Sequence, residues 1–217
     1  MKRNLADTAG DPHSGATTLP TQETKATRLL RARNAEFAQE IIKVTDDVVT
    51  AVGYSVQPVS MIIGGDGIII VDTGIDTASA ERILHDFREI TEKPVTCIIL
   101  THGHGDHTGG VPVFAGEGNP QIWARDSFGQ ESDTLKSVGM TINNVRGARQ
   151  GGFRLPPNKR INNGVAQAYY PERGGKVFGS SEAVKPTHLL TDARKKIESA
   201  GVNLHPVAAT GETHDAL

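Results

Sequence analysis

The chain reads as a layered fold of helices packed on a β-sheet, and three observations say so. "DVVTAVGYSVQPVSMIIGGDGIIIVDTG" holds three short β-rich runs, with a "GGDG" turn between the last two, the pattern of a meander. The runs "GIIIVD" and "VTCIIL" are apolar throughout, as strands buried on both faces are. Between them lies the helical segment "DTASAERILHDFREITE", so strand, helix and strand alternate as in a sheet covered by helices.

The elements follow in order. Residues 1–22 are rich in Thr, Gly, Pro and Asp, with hardly any large apolar side chains, and are expected to form a flexible tail ahead of one domain over 23–217. From Glu23 to Val44, apolar residues recur at helical spacing among good helix formers, which predicts a helix. The meander comes next, and then a helix capped by Asp76 or Thr77. "PQIWARDSFGQESDTLKSVG" predicts a further strand and helix, whereas the segment from about Met140 to Lys185 shows no periodicity and reads as a long loop. "KKIESAGVNLHPVAA" predicts a hairpin turning at Ala200-Gly201, whose second strand delivers "TGETHDAL" to the end of the chain.

Composition narrows the function. A chain of 217 residues suffices for one domain with a proper core. A formal charge of −2 makes neither nucleic acid nor an anionic membrane the expected partner. No apolar run follows the basic residues at the N-terminus, and none is long enough to span a membrane, so a cytoplasmic location is expected. Cys97, the single cysteine, sits in "PVTCIIL" and reads as a buried, inert thiol.

Chemistry concentrates in "THGHGDHTGG", directly after a buried strand. Imidazoles and a carboxylate at this density suit a borderline divalent ion such as Zn²⁺. His102 and His104 are two apart, so an extended backbone points both to one side. Asp106 and His107 follow on a turn that glycine permits, placed to serve a second ion. A His-rich tract can also be a purification tag or an adventitious binder, but a tag does not sit between a buried strand and a helix start.

"THGHGDHTGG" resembles the signature of the metallo-β-lactamase-fold hydrolases, and "GIIIVDTG" resembles that fold's strand ending in Asp-Thr-Gly. Together with "VGYSVQPVSMIIGGDG", "RGARQGGFRLPPN" and "AGVNLHPVAATGETHDAL", these stretches are similar to the alkyl sulfatase branch. The resemblance implies an α+β fold, the αββα sandwich, represented by its N-terminal half and the start of its second half. It implies two Zn²⁺ ions and hydrolysis of an alkyl sulfate ester such as dodecyl sulfate, with metal-activated hydroxide as nucleophile. His102, His104 and Glu212, the last in "GET", would hold one ion, and Asp106 and His107 would contribute to the other. Asp72 and Asp106 are the candidate catalytic carboxylates, Asp72 lying beside the metals. The family's bridging carboxylate, its dimerisation region and its sulfate-gripping residues come later than Leu217, so the homodimer is expected of the longer family form. Half of a two-sheet fold is also expected to leave a sheet face uncovered.

Alternatives stand beside this reading. A lactonase, thioesterase or β-lactamase uses the same fold, although Glu at 212 argues against them. An inactive metal-binding fragment is the other. Among the remaining histidines, His214 is the rival ligand to Glu212, while His13, His85, His188 and His205 have no motif around them and read as structural or solvent-facing.

Overall fold

The structure is a computed structural model that describes residues 23–116, 118–139, 145–146, 149–152, 154–164, 166, 184–209 and 211–217. The expected N-terminal tail lies outside these residues, as does much of the segment read as a long loop.

Thr24 caps the first helix, its hydroxyl accepting from the Thr27 amide, and α1 runs over Lys25–Arg33 before a 3₁₀ turn over Asn34–Phe37. The helix expected as far as Val44 stops there. Glu40–Lys43 is instead strand β1, paired antiparallel with β2 (Val48–Val52). Helical propensity in "EIIK" gives way to a ladder with the adjacent strand, a partner that local sequence does not reveal.

The meander forms as expected. β2, β3 (Val59–Ile63) and β4 (Ile68–Val71) pair antiparallel in sequence, and the "GGDG" turn closes with the Gly64 amide donating to the Gly67 carbonyl. Helix α2 (Thr77–Arg88) follows, capped by the Asp76 carboxylate, which accepts from the Ser79 amide. Then β5 (Val95–Ile99), β6 (Gln121–Arg125) and β7 (His188–Leu190) add in parallel, giving one seven-stranded sheet in chain order. β7 has no counterpart among the strands expected from sequence, because three residues are too few to show a period.

Strand alternation divides two cores. Ile68, Ile70, Ile98, Leu100, Ile122 and Ala124 face the helices and pack with Ala80, Ile83 and Phe87 of α2. Val111 and Phe114 of the short helix α4 (Val111–Ala115) complete that layer. On the opposite face lie Ile69, Cys97, Ile99, Trp123 and Leu190. The hairpin of β8 (Ile197–Ser199) and β9 (Val202–Leu204) covers them with Ile197 and Ala200.

That hairpin overturns the expectation of an uncovered face along β4–β7, since all five facing residues are buried. It turns at Ala200-Gly201 as expected, both with positive φ (52° and 72°), as a two-residue turn between twisted strands requires. The Ala200 carbonyl accepts from the Gly65 amide, and the hydroxyls of Thr96 and Ser199 meet at 3.1 Å, so the hairpin is bonded to the sheet as well as packed on it. Burial pushes the Cys97 thiol up to about 11, which leaves it inert. Among the described residues, no helix is long and apolar enough to cross a membrane.

One contact ties the loop between β2 and β3 to α2. The buried Tyr54 hydroxyl donates to the Asp86 carboxylate, which holds that carboxyl below its ordinary value. A carboxyl depressed in the folded state stabilises the protein above its unfolded value, and the benefit is lost as pH falls through the folded one. Tyr54→Phe should therefore cost about 1 kcal/mol at neutral pH. The gap from the parent should close once the carboxylate is protonated. Urea unfolding of both proteins at neutral pH and in acid measures this, and a pH-independent gap would remove the bond from the account.

Candidate metal centre

The centre lies at the carboxyl ends of β4 and β5, where two loops interlock. β4 exits through Asp72, whose backbone adopts a left-handed conformation at φ 57° while its amide still donates to the Ile99 carbonyl. The turn aims the Asp72 carboxylate across at the loop after β5. There it accepts from the Thr101 amide (2.9 Å), from the Thr101 hydroxyl (2.8 and 3.0 Å) and from His107 Nδ1 (2.7 Å). A carboxylate only accepts, so His107 carries its proton on Nδ1 and leaves Nε2 as the ligating nitrogen.

Backbone contacts complete the joint. The Thr73 amide and hydroxyl both donate to the His107 carbonyl, at 2.8 and 2.9 Å. Gln57, from the β2–β3 loop, donates its side-chain amide to the Asp106 carbonyl. The loop then passes so close to Thr73–Asp76 that a Cβ on Gly109 would stand 2.0 Å from the Ile75 carbonyl oxygen. A Cβ on Gly110 would stand 2.0 Å from that of Thr73. Backbone cannot yield at such distances, so the "GG" after the histidines is a packing requirement.

Within this frame His102 is buried, and its Nδ1 lies 3.1 Å from the Thr101 hydroxyl. Its Nε2 is buried and makes no hydrogen bond among the described residues; a Glu212 carboxylate oxygen lies 3.9 Å away. His104 Nδ1 lies 3.4 Å from the other Glu212 oxygen. Ligand atoms of His102, His104 and Glu212 all fall within 4.8 Å of one another, the one such group of three among the described residues. A buried imidazole nitrogen without a partner is costly unless something fills the position. Two imidazoles and a carboxylate are the donor set a borderline divalent ion takes. The residues therefore fit a metal.

Asp106 and His107 sit on the short helix α3 (Gly105–Thr108). The His107 ring meets His102 at a tilt of 53° with centroids 4.0 Å apart, and its Nε2 is 3.9 Å from Asp106 Oδ2. All five expected ligands and Asp72 thus meet at one place, but Asp106 and His107 stand apart from the group of three. Burial depresses the His102 ring below the usual imidazole range, and the neighbouring His107 and His104 add to this, so it stays neutral and ready to ligate. For His107, burial acts the same way. The hydrogen bond and charge of Asp72, helped by Asp106 and Glu212, outweigh it and raise that ring.

Glu212 reaches the cluster because the last segment docks beside it. The Leu217 amide donates to the Thr101 carbonyl, and the Ala209 amide to that of Ala216. The buried Asp215 carboxylate accepts from the Thr213 hydroxyl and the Gly129 amide. His214 is exposed, lines a cavity with Arg125 and is not in the group of three. Sequence reasoning missed Thr101 and Asp215, which lie inside the quoted motifs but show their roles only through partners 29 and 86 residues away.

The model of the "Metallo-beta-lactamase superfamily" matches residues 53–192, from the β2–β3 loop to just beyond β7. The chain belongs to that superfamily. A linear primary-alkylsulfatase from Pseudomonas sp. is 29% identical over 61% of the chain and 25% of its own length. The alkyl/aryl-sulfatase BDS1 of Saccharomyces cerevisiae is 29% identical over 59% of the chain and 21% of its own. The chain thus spans about a quarter of the length of these curated relatives.

Among solved structures, the stereoselective inverting sec-alkylsulfatase Pisa1 from Pseudomonas sp. superposes with TM-score 0.61 at 19% identity. The match covers 77% of the chain and 27% of that protein. Rm3 metallo-beta-lactamase gives 0.52 at 17%, over 85% of the chain and 56% of its own. The metallo-beta-lactamase fold expected from the His motif is present, and the similarity to these two curated alkylsulfatases supports the expected branch.

The Asp72 joint yields a prediction. Asp72→Asn keeps the size of the side chain but removes the charge that holds His107. Affinity for divalent metal should fall about 10- to 100-fold, the usual cost of losing a group that orients a ligand. Competition with a chromophoric chelator measures it, with circular dichroism to check folding; unaltered affinity would leave Asp72 a purely structural role.

Proposed function

We propose that the chain is the metal-binding portion of a zinc-dependent hydrolase of alkyl sulfate esters, dodecyl sulfate being a representative substrate. The observation that carries this is the meeting of His102, His104 and Glu212 around an unpartnered buried nitrogen, in a chain similar to alkylsulfatases. His102 Nε2, His104 and Glu212 would hold one Zn²⁺, with Asp106 and His107 contributing to a second. Bound there, zinc supplies Lewis acidity that brings the ionisation of a water molecule down towards neutral pH.

The chain's own residues set the conditions for that chemistry. His102 remains neutral because it is buried beside two other imidazoles. Asp72 acts as a positioning residue, holding the proton on His107 Nδ1 and fixing the ring. Asp106, partly exposed on the solvent side of His107, is placed to ligate or to accept a proton at its carboxylate. Thr101 locks His102 and His107 to the same carboxylate through one hydroxyl.

One observation favours a second reading. The described residues assemble a single group of three ligands, which suits a chain that binds one metal and does not turn over. Zinc content and activity of the full chain separate the two. Binding of both ions with hydrolysis of dodecyl sulfate supports the hydrolase. One ion or none, without hydrolysis of alkyl sulfates, supports the inactive binder. Turnover of a lactone, thioester or β-lactam in preference would move the chain to another hydrolase of this fold.

The ligand assignment has its own test. His102→Ala should abolish tight zinc binding, since it removes the buried nitrogen at the centre of the group. Glu212→Gln should weaken zinc at least tenfold, and His214→Ala should leave it unchanged. Elemental analysis after dialysis against a weak chelator reads all three, and the reverse pattern at 212 and 214 would hand the ligand role to His214.

A further inference from the structure

The formal charge of −2 averages over a chain whose cations are unevenly placed. Between Asp133 and Glu172 the sequence carries no acidic residue, while lysine and arginine recur through it. Arg154 and Lys159, in that stretch, are exposed and have no ion pair with a described residue. They stand either side of Leu155, itself 48% exposed. The turn is closed by the Leu155 amide donating to the Gly152 carbonyl and by Arg160 Nε donating to the Leu155 carbonyl at 2.8 Å.

Helix α1 is a second basic element. Its half-buried residues are Thr27 and Leu30, followed by Asn34 just past its end, so helical spacing turns Lys25, Leu29 and Arg33 outward. Leu29 is 62% exposed, and Lys25 has no ion pair among the described residues. Glu23 and Glu36 pair with Arg31 and Arg33, which leaves the helix positive. The buried Asn162 joins the two elements, since its side-chain amide donates to the Leu30 carbonyl at 2.8 Å. Leu29 adjoins the acceptor of that bond, and Lys159 comes three residues before its donor.

This surface connects to the metal-centre end of the sheet. Glu40 pairs with Val52, and Gly53 packs so close to the chain entering β1 that a Cβ there would stand 2.3 Å from the Ala38 carbonyl oxygen. Gly53 begins the β2–β3 loop, whose Gln57 donates to the Asp106 carbonyl.

Cations around exposed leucines point to one kind of partner. A nucleic acid rewards the charge but gains little from leucine. An anionic lipid surface rewards both, because basic side chains meet the headgroups while leucines enter the acyl boundary. We propose that α1 and the 154–162 segment form a docking surface for an anionic lipid bilayer. Leu29 and Leu155 enter the bilayer, and Lys25, Arg154 and Lys159 meet headgroup charge. Docking does not depend on what the metal centre hydrolyses.

Co-sedimentation of the full chain with phosphatidylcholine vesicles, with and without phosphatidylglycerol, tests this. The chain should pellet with the anionic vesicles alone, and raised salt should release it. Lys25→Gln, Arg154→Gln and Lys159→Gln combined should weaken binding at least about tenfold. Leu29→Ser should weaken it at unchanged charge, whereas Lys43→Gln, exposed at the far end of β1, should not. Binding indifferent to phosphatidylglycerol or to the three cations overturns the docking surface. Dependence on the cations without dependence on Leu29, or displacement of the vesicles by single-stranded RNA, overturns the bilayer and makes the patch a polyanion site. The substituted side chains are exposed, and circular dichroism checks that each variant folds.

Discussion

The carboxylate of Asp72 is the constraint on which the site depends. It ends a largely buried strand in a left-handed turn and gathers the Thr101 amide, the Thr101 hydroxyl and His107 Nδ1. Through Thr101 it also governs His102, whose Nδ1 faces the same hydroxyl. A largely buried anion with several directed donors is rigid, because each donor it lost would leave charge unsatisfied in a poor solvent. The histidines are thereby set before any metal arrives, which lowers the ordering cost of binding one.

Rigid placement of this kind needs a sheet that does not yield. β4 and β5 are buried on both faces, by the α2 and α4 layer on one side and by the β8–β9 hairpin on the other. Towards β2 and β3 the hairpin face becomes polar, with the Thr50 and Ser60 hydroxyls bonded to each other at 2.9 Å. The strands that carry the chemistry are thus the ones enclosed most fully. At their carboxyl ends the parallel strands leave loops free to converge, the usual place for a site in such a sheet.

The imidazoles of the centre do not share one electrostatic environment. His102 resists protonation because it is buried beside two other imidazoles. His107 escapes this only through its carboxylate neighbours.

The sequence by itself determined the meander, α2 with its Asp76 cap, the two strands buried on both faces and the hairpin turn at Ala200-Gly201. Periodicity, capping and turn chemistry are local, and each can be read within a dozen residues. It also marked His102, His104, Asp106 and His107 as one cluster, because they are neighbours along the chain. Only the tertiary structure turned "EIIK" from helix to strand, since β2 had to lie beside it. Only folding brought Glu212 to His102, put His214 and Arg125 on one cavity and set Thr101 against Asp72. Those contacts cross from about thirty to more than a hundred residues of chain, and the energy that selects them comes from burial and hydrogen bonding between distant segments, which no local pattern records.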